Sequence, residues 1–212
     1  MTDAFLFDGP PDATVTVLLA HGAGGAMDSA GMAALTGGLA GAGLRVARFE
    51  FAYMAGRRSG AGRKPPPRAE RLMDEYREAL AALGAKGPLV IGGKSMGGRV
   101  ASMVADSLHA EGRVAGLLCL GYPFHPPGRP EQLRTAHLET LKTPALICQG
   151  SCDPFGTREE VTGYRLSAAI TIAWFEDGDH DLKPRKAVSG FTLSDHMQRL
   201  GAAVTAWAEG LA

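Results

Sequence analysis

Residues 89–102 read L-V-I-G-G-K-S-M-G-G-R-V-A-S, and no other stretch of the chain restricts the fold as tightly. A short apolar run ends in glycines, exposes one serine, and passes at once into small residues that a helix accepts. The pattern predicts a buried strand, a tight turn and a helix. Within it Gly93, Lys94, Ser95, Met96 and Gly97 form G-x-S-x-G, in which glycines flank a serine whose backbone is strained and whose neighbours approach closely. Ser95 would then stand alone at the carboxyl end of a buried strand.

Two other readings of these residues compete. G-K-S looks like the tail of the phosphate-binding loop G-x-x-x-x-G-K-[ST], but the first glycine would have to fall at position 88, which is Pro88. Leu89, Val90 and Ile91 also look like a buried strand, whereas that loop needs bare N–H groups around phosphates. Both points argue against nucleotide binding. A glycine-rich strand-to-helix turn with an incidental serine also accounts for the pentapeptide alone, so other segments must decide.

The 212 residues are 45% hydrophobic and 21% charged, with 22 basic and 22 acidic side chains. That balance fits one soluble globular domain spanning 1–212, and zero net charge gives no reason to expect nucleic acid or a membrane as partner. Cys119, Cys148 and Cys152 are odd in number, and the first two sit in apolar runs. They read as core residues, so a reducing compartment is expected rather than a disulfide framework. The acidic start M-T-D-A-F-L-F-D lacks the basic region of a secretory signal, and no apolar run approaches membrane-spanning length. A cytoplasmic protein is the expectation.

Strands are expected at 5–7, 14–20, 44–51, 89–91, 114–120, 145–150 and 170–175. Helices are expected from Asp28 as N-cap to Gly41 or Gly43, then over 70–83, 96–109 and 157–166. A last helix starts near Thr192, whose spacing to Asp195 suits a capping box, and would bury Leu193, Met197, Leu200, Val204 and Trp207. Leu72, Tyr76, Leu80 and Leu83 read as core packing. Residues 52–68 read as a structureless loop with Arg57, Arg58, Arg63, Lys64 and Arg68, no acid, and prolines at 65 to 67. Such a loop is either simply solvated or an anion-attracting rim. The alternation predicts an α/β fold, an open, mostly parallel sheet of about six to seven strands with helices on both faces and no separate cap domain. Ligands on such sheets sit at the carboxyl ends of the strands. The loops bearing Ala23, Ser95, Asp153 and His180 all leave from that edge.

A serine hydroxyl attacks well only when a base takes its proton, and an imidazole serves best when a carboxylate fixes its tautomer. On this kind of fold the partners follow in the order Ser, Asp or Glu, His. Of the six histidines, His180 alone lies in a loop after the last strand. Asp153, just past a buried strand, is the preferred carboxylate; Asp177, Asp179 or Asp181 could substitute. D-x-D-H-D lacks a second histidine or cysteine at ligand spacing, which argues against a metal. Two amides aimed at developing negative charge would be Met96 N–H and Ala23 N–H, or else Gly24 N–H, each worth about 3 kcal/mol. His21 reads as a structural loop histidine. Lys94 should point away from Ser95, packing on the sheet or pairing locally.

Five strings together resemble the α/β-hydrolase superfamily over nearly the whole chain: H-G-A-G-G, G-G-K-S-M-G-G-R-V-A-S, G-Y-P-F-H-P-P-G-R-P, D-P-F-G and G-D-H-D-L-K-P-R-K. More narrowly they look like the compact family that groups Tex-type testis-expressed proteins and bacterial relatives with a subunit of a histone acetyltransferase complex. That family is often labelled dienelactone-hydrolase-like, yet dienelactone hydrolases carry cysteine at the elbow where this chain has Ser95, so their substrate is not carried over. The resemblance implies Ser95, Asp153 and His180 as a triad, with no cofactor. Cys152 stands where such relatives would carry a basic residue. The expectation is a serine hydrolase acting on a small acyl substrate, with Gly24, Tyr122, Phe124, Arg57 and Arg58 as candidate contacts. Arg63, Arg129 and Lys183 add to a weaker expectation that the substrate is anionic. The alternative is a non-catalytic interaction protein that docks a partner on its basic, proline-rich loop.

Overall fold

The computed structural model describes residues 5–58, 65–85 and 87–211. Its strands are Leu6–Asp8 (β1), Thr16–Ala20 (β2), Arg45–Phe49 (β3), Leu89–Lys94 (β4), Gly116–Leu120 (β5), Ala145–Gly150 (β6) and Ile170–Phe175 (β7). They form one sheet in the order β1-β3-β2-β4-β5-β6-β7. β1 runs antiparallel beside β3, and every other pairing is parallel. The helices are Ala30–Gly41 (α1), Ala52–Arg58 (α2), Met73–Leu83 (α3), Met96–Ala110 (α4), Arg158–Thr162 (α5), Lys186–Ser189 (α6) and Leu193–Glu209 (α7).

β2, β4, β5 and β6 are buried at every residue, which is why their sequences are continuous apolar runs rather than alternating ones. α1 and α7 pack together over one face, where Leu35, Leu39 and Leu200 meet Leu19, Val46 and Val90. On the other face Val100, Val104 and Leu108 of α4, with Tyr76 and Leu80 of α3, meet Leu18, Ile91 and Leu117. Each such side chain removed from water contributes about 2 kcal/mol of transfer free energy. Tyr76 does more than fill space: its buried hydroxyl accepts from Gly92 N–H at 2.8 Å and lies 2.7 Å from Gly92 O.

Several expectations need correction. Residues 52–58 form α2 rather than a structureless loop, because Glu75 of α3 accepts the Ala52 N–H at 2.8 Å. That cap is a tertiary contact with no local signature. The helix expected over 157–166 stops at Thr162, where Gly163 serves as its C-cap. α7 begins after a Thr192 capping box as expected, but Leu193 is exposed, at the mouth of a cavity it lines together with residues of α1. Ser29, not Asp28, caps α1.

From β2 the chain crosses outward to β3, and from β4 outward to β5 in the opposite direction. The order therefore reverses between β2 and β4, and a crevice opens at their carboxyl ends.

Candidate active site

Ser95 lies between β4 and α4 with φ 52° and ψ −116°, a left-handed backbone that costs a non-glycine residue energy and that only tight surroundings can hold. Those surroundings leave no room for side chains. A Cβ on Gly97 would sit 2.5 Å from Ala20 O, and one on Gly93 2.6 Å from the same oxygen. Ser95 N–H donates to Leu120 O at 3.0 Å. Met96 opens α4, so its N–H has no carbonyl one turn earlier within the helix.

The 21–25 loop leaves β2 next to it. His21 is buried, with Nδ1 2.7 Å from Gly22 O and Nε2 accepting Phe51 N–H at 3.2 Å, which makes it the structural histidine expected. The Tyr53 hydroxyl lies 3.4 Å from Gly22 O and 3.2 Å from Ala23 O. Burial pushes its pKa up to about 12, so it remains a donor. A trans peptide turns its C=O and N–H to opposite sides; anchoring Gly22 O on His21 and Tyr53 thus fixes the direction of Ala23 N–H.

Asp153 follows β6 and is fully buried. Its Oδ1 accepts Phe155 N–H at 2.8 Å, and its Oδ2 accepts from Gln149 Nε2 at 2.9 Å and from His180 Nδ1 at 2.8 Å. A carboxylate only accepts, so the His180 proton sits on Nδ1. Nε2 then offers its lone pair to the Ser95 hydroxyl, 2.8 Å away.

His180 must return from the end of β7 across β6 and β5 to reach β4, and it crosses over two glycines. A Cβ on Gly150 would lie 2.2 Å from Asp179 O, and one on Gly121 2.5 Å from His180 O. Asp177 accepts Arg185 N–H at 2.7 Å as well as the Arg185 guanidinium, which holds the Asp177 carboxyl below the usual range. Asp179 Oδ1 accepts the amides of Asp181 and Lys183 at 2.8 and 2.9 Å. Asp181 pairs with buried Lys94 at 3.2 Å. The three acids nearest His180 in sequence thus brace its loop, while distant Asp153 faces the imidazole. Lys94 does pair, but with this distant loop and in the cavity beside Ser95 rather than locally.

Ala23, Ser95 and Phe155 stand between two cavities. One, of about 420 Å³, is also lined by Gly22, Gly24, Gly25, Lys94, His180 and Asp181. The other, of about 580 Å³, is lined by Pro67, Arg68, Glu70, Met96, Arg99, Pro123 and Arg134. A larger cavity of about 740 Å³ between α1 and α7 has only small, apolar or neutral polar walls such as Gly37, Gly38 and Met197, and offers no titratable group.

Of the expected substrate contacts, Gly24 lines the first cavity. Tyr122 and Phe124 are fully buried and line neither, because Gly121, at φ 64°, turns the chain back into the core. The Arg57 guanidinium lies 5.3 Å from the Tyr53 ring and lines neither cavity. Arg129 and Lys183 are exposed and also line neither. The Arg58 side chain, Arg63 and Lys64 lie outside the described residues. Phe155, Arg99 and Arg134 were passed over in the sequence, although Phe155 sits within D-P-F-G and Arg99 within G-G-R-V.

A second serine–histidine pair occurs at Ser102 and His137, whose Oγ and Nε2 are 2.8 Å apart. Ser102 is buried in α4 and donates to Arg99 O at 2.7 Å. Burial depresses the His137 pKa, and neither residue lines a described cavity, so the pair is a packing contact. Among the described residues no three His, Cys, Asp or Glu side chains group to hold a metal, and no helix is long and apolar enough to cross a membrane.

Solved structures share this architecture. An alpha-beta serine hydrolase homologue from Coxiella burnetii is 18% identical, with 94% of this chain and 90% of that one covered at a TM-score of 0.69. An a/b serine hydrolase without lid from Xanthomonas campestris is 21% identical, covering 96% and 88% at 0.67. A dienelactone hydrolase from Anabaena variabilis is 20% identical, covering 93% and 88% at 0.69. At such identities the likeness is one of fold. A family described as alpha/beta hydrolase domain matches residues 13–209, nearly the whole sheet and the loops at its carboxyl edge, and this chain belongs to it.

Proposed function

We propose that the protein is a serine hydrolase that cleaves an ester or related acyl bond of a small substrate. The observation that carries this reading is the unbroken line from Ser95 Oγ through His180 to the buried Asp153 carboxylate, with both separations 2.8 Å. Ser95 Oγ attacks the carbonyl carbon while its proton passes to His180 Nε2. The amides of Met96 and Ala23 hold the oxyanion, each donor worth about 3 kcal/mol, and Asp153 stabilises the imidazolium. On collapse the bond to the leaving oxygen breaks, its electron pair goes to that oxygen, and His180 returns the proton there. Water then attacks the acyl carbon, giving a proton to His180, and the second collapse frees the acid and restores Ser95. Three free cysteines fit a cytoplasmic setting.

The test is labelling by a fluorophosphonate. Wild type should react, Ser95→Ala should not, and His180→Ala should react at least about a thousandfold more slowly. Equal labelling of wild type and Ser95→Ala would sink the assignment.

A further inference from the structure

The two cavities that meet at Ser95 differ in chemistry. In the first, the Lys94 ammonium is already matched by Asp181 at 3.2 Å. The second is lined by three arginines, Arg68, Arg99 and Arg134, and by a single acidic residue, Glu70. Glu70 is engaged by Arg99 at 2.7 Å, and no described carboxylate forms an ion pair with Arg134. The Arg134 segment is braced: its N–H donates to Phe124 O at 2.7 Å, and its carbonyl accepts the Tyr122 hydroxyl at 2.9 Å. Burial, and next the Arg99 cation, hold Arg134 below the usual arginine value, with Glu70 pulling the other way.

This inference rests on the hydrolase reading above. An ester lying across Ser95 places one half in each cavity. His180 must hand its proton to the leaving oxygen, so the leaving group lies on the side that His180 lines, the first cavity. The acyl half then faces the arginines. We infer that the second cavity is an acyl site for a carboxylate, and that the substrates are half-esters of dicarboxylic acids whose free carboxylate is held at Arg134, with Arg99 and Arg68 beside it. A guanidinium fork matches a carboxylate with two parallel N–H donors. Met96, Pro67 and Pro123 supply apolar walls for the intervening methylenes. A neutral acyl chain entering the same cavity would desolvate Arg134 without replacing the lost water, and this penalty sets the preference.

The test compares p-nitrophenyl half-esters of succinate, glutarate and adipate with neutral p-nitrophenyl esters of matching length. Wild type should favour the best half-ester in kcat/KM by at least roughly tenfold. Arg134→Gln should reduce that ratio by about the same factor, Arg134→Lys should keep part of it, and Arg68→Gln at an exposed position should reduce it about threefold. Arg165→Gln, whose side chain is 90% exposed, should leave the ratio alone. Calorimetry on Ser95→Ala should detect glutarate binding that weakens with salt. A ratio of one in an enzyme that still takes the fluorophosphonate would overturn this inference and leave the hydrolase reading standing. Failure of wild type to label would overturn both. Inorganic phosphate bound as tightly as glutarate would overturn the carboxylate assignment.

Discussion

The ring of Phe155 lies over the His180 imidazole, with centroids 4.2 Å apart and planes 28° apart. The same residue gives its N–H to Asp153 Oδ1 at 2.8 Å. One residue thereby steadies both members of the His–Asp pair and lines both cavities. Truncation to Phe155→Ala keeps the amide and removes the ring. Loss of a stacking contact of about 1 kcal/mol, plus freedom for the imidazole to swing, should lower kcat/KM on a p-nitrophenyl ester about tenfold. Because Phe155 is only half-buried, the melting temperature should change little. Unaltered kinetics would remove it from the site.

Gln149 is fully buried and does more for the fold than for the chemistry. Its amide oxygen accepts Tyr122 N–H at 2.8 Å, and its nitrogen lies within 3.3 Å of Tyr122 O, Asp153 Oδ2 and Gly156 O. Gln149→Leu would strand one buried donor and several acceptors, at a cost of about 2–4 kcal/mol. Urea denaturation should show that loss as a lower midpoint with an unchanged slope; a shift too small to measure would mean water replaces the amide.

At Gly121 the consequence should be functional. An added methyl would meet His180 O at 2.5 Å and the His180 ring nitrogen Nδ1 at 3.3 Å, and the backbone holds φ 64°. The left-handed backbone alone should cost Gly121→Ala about 1–2 kcal/mol. The displaced His180 loop should lower fluorophosphonate labelling by at least about a hundredfold while circular dichroism stays that of a folded chain. Normal labelling would show that the loop has slack.

Lys94 gives a pH prediction. Burial lowers its pKa, although Asp181 pulls in the other direction. A lysine whose folded value lies below its unfolded one burdens the native state fully below the folded value. That burden is relieved as pH rises toward the unfolded value of about 10.4. Asp181, on the other side of the pair, is largely exposed, so losing its partner costs little. Lys94→Met should therefore be at least as stable as wild type at pH 7, and its advantage should shrink as pH rises into the alkaline range. Urea midpoints for both proteins at several pH values between 7 and 10 check this; a difference independent of pH would contradict it.

The sequence by itself determined the α/β order, the bounds of β6 and β7, the strained serine between glycines and the loops that meet at the sheet edge. These are local or periodic properties: continuous apolar runs mean strands buried on both faces, and alternation with helices means parallel neighbours. Chain order and loop position pointed to Ser95, Asp153 and His180 while leaving Asp177, Asp179 and Asp181 open as the carboxylate, and the structure brings the first three within hydrogen-bond distance. What only the tertiary structure decided are the relations between residues distant in sequence. α2 depends on Glu75 accepting the Ala52 amide, and the His180 loop finds its path because Gly121 and Gly150 leave it open. Tyr122 and Phe124 go inward, while Arg99 and Arg134 come to the cavity wall. A motif records which residue types are present. Which way a side chain turns is set by the space its neighbours leave and by the counter-charges they offer, and those neighbours arrive only when the sheet is assembled.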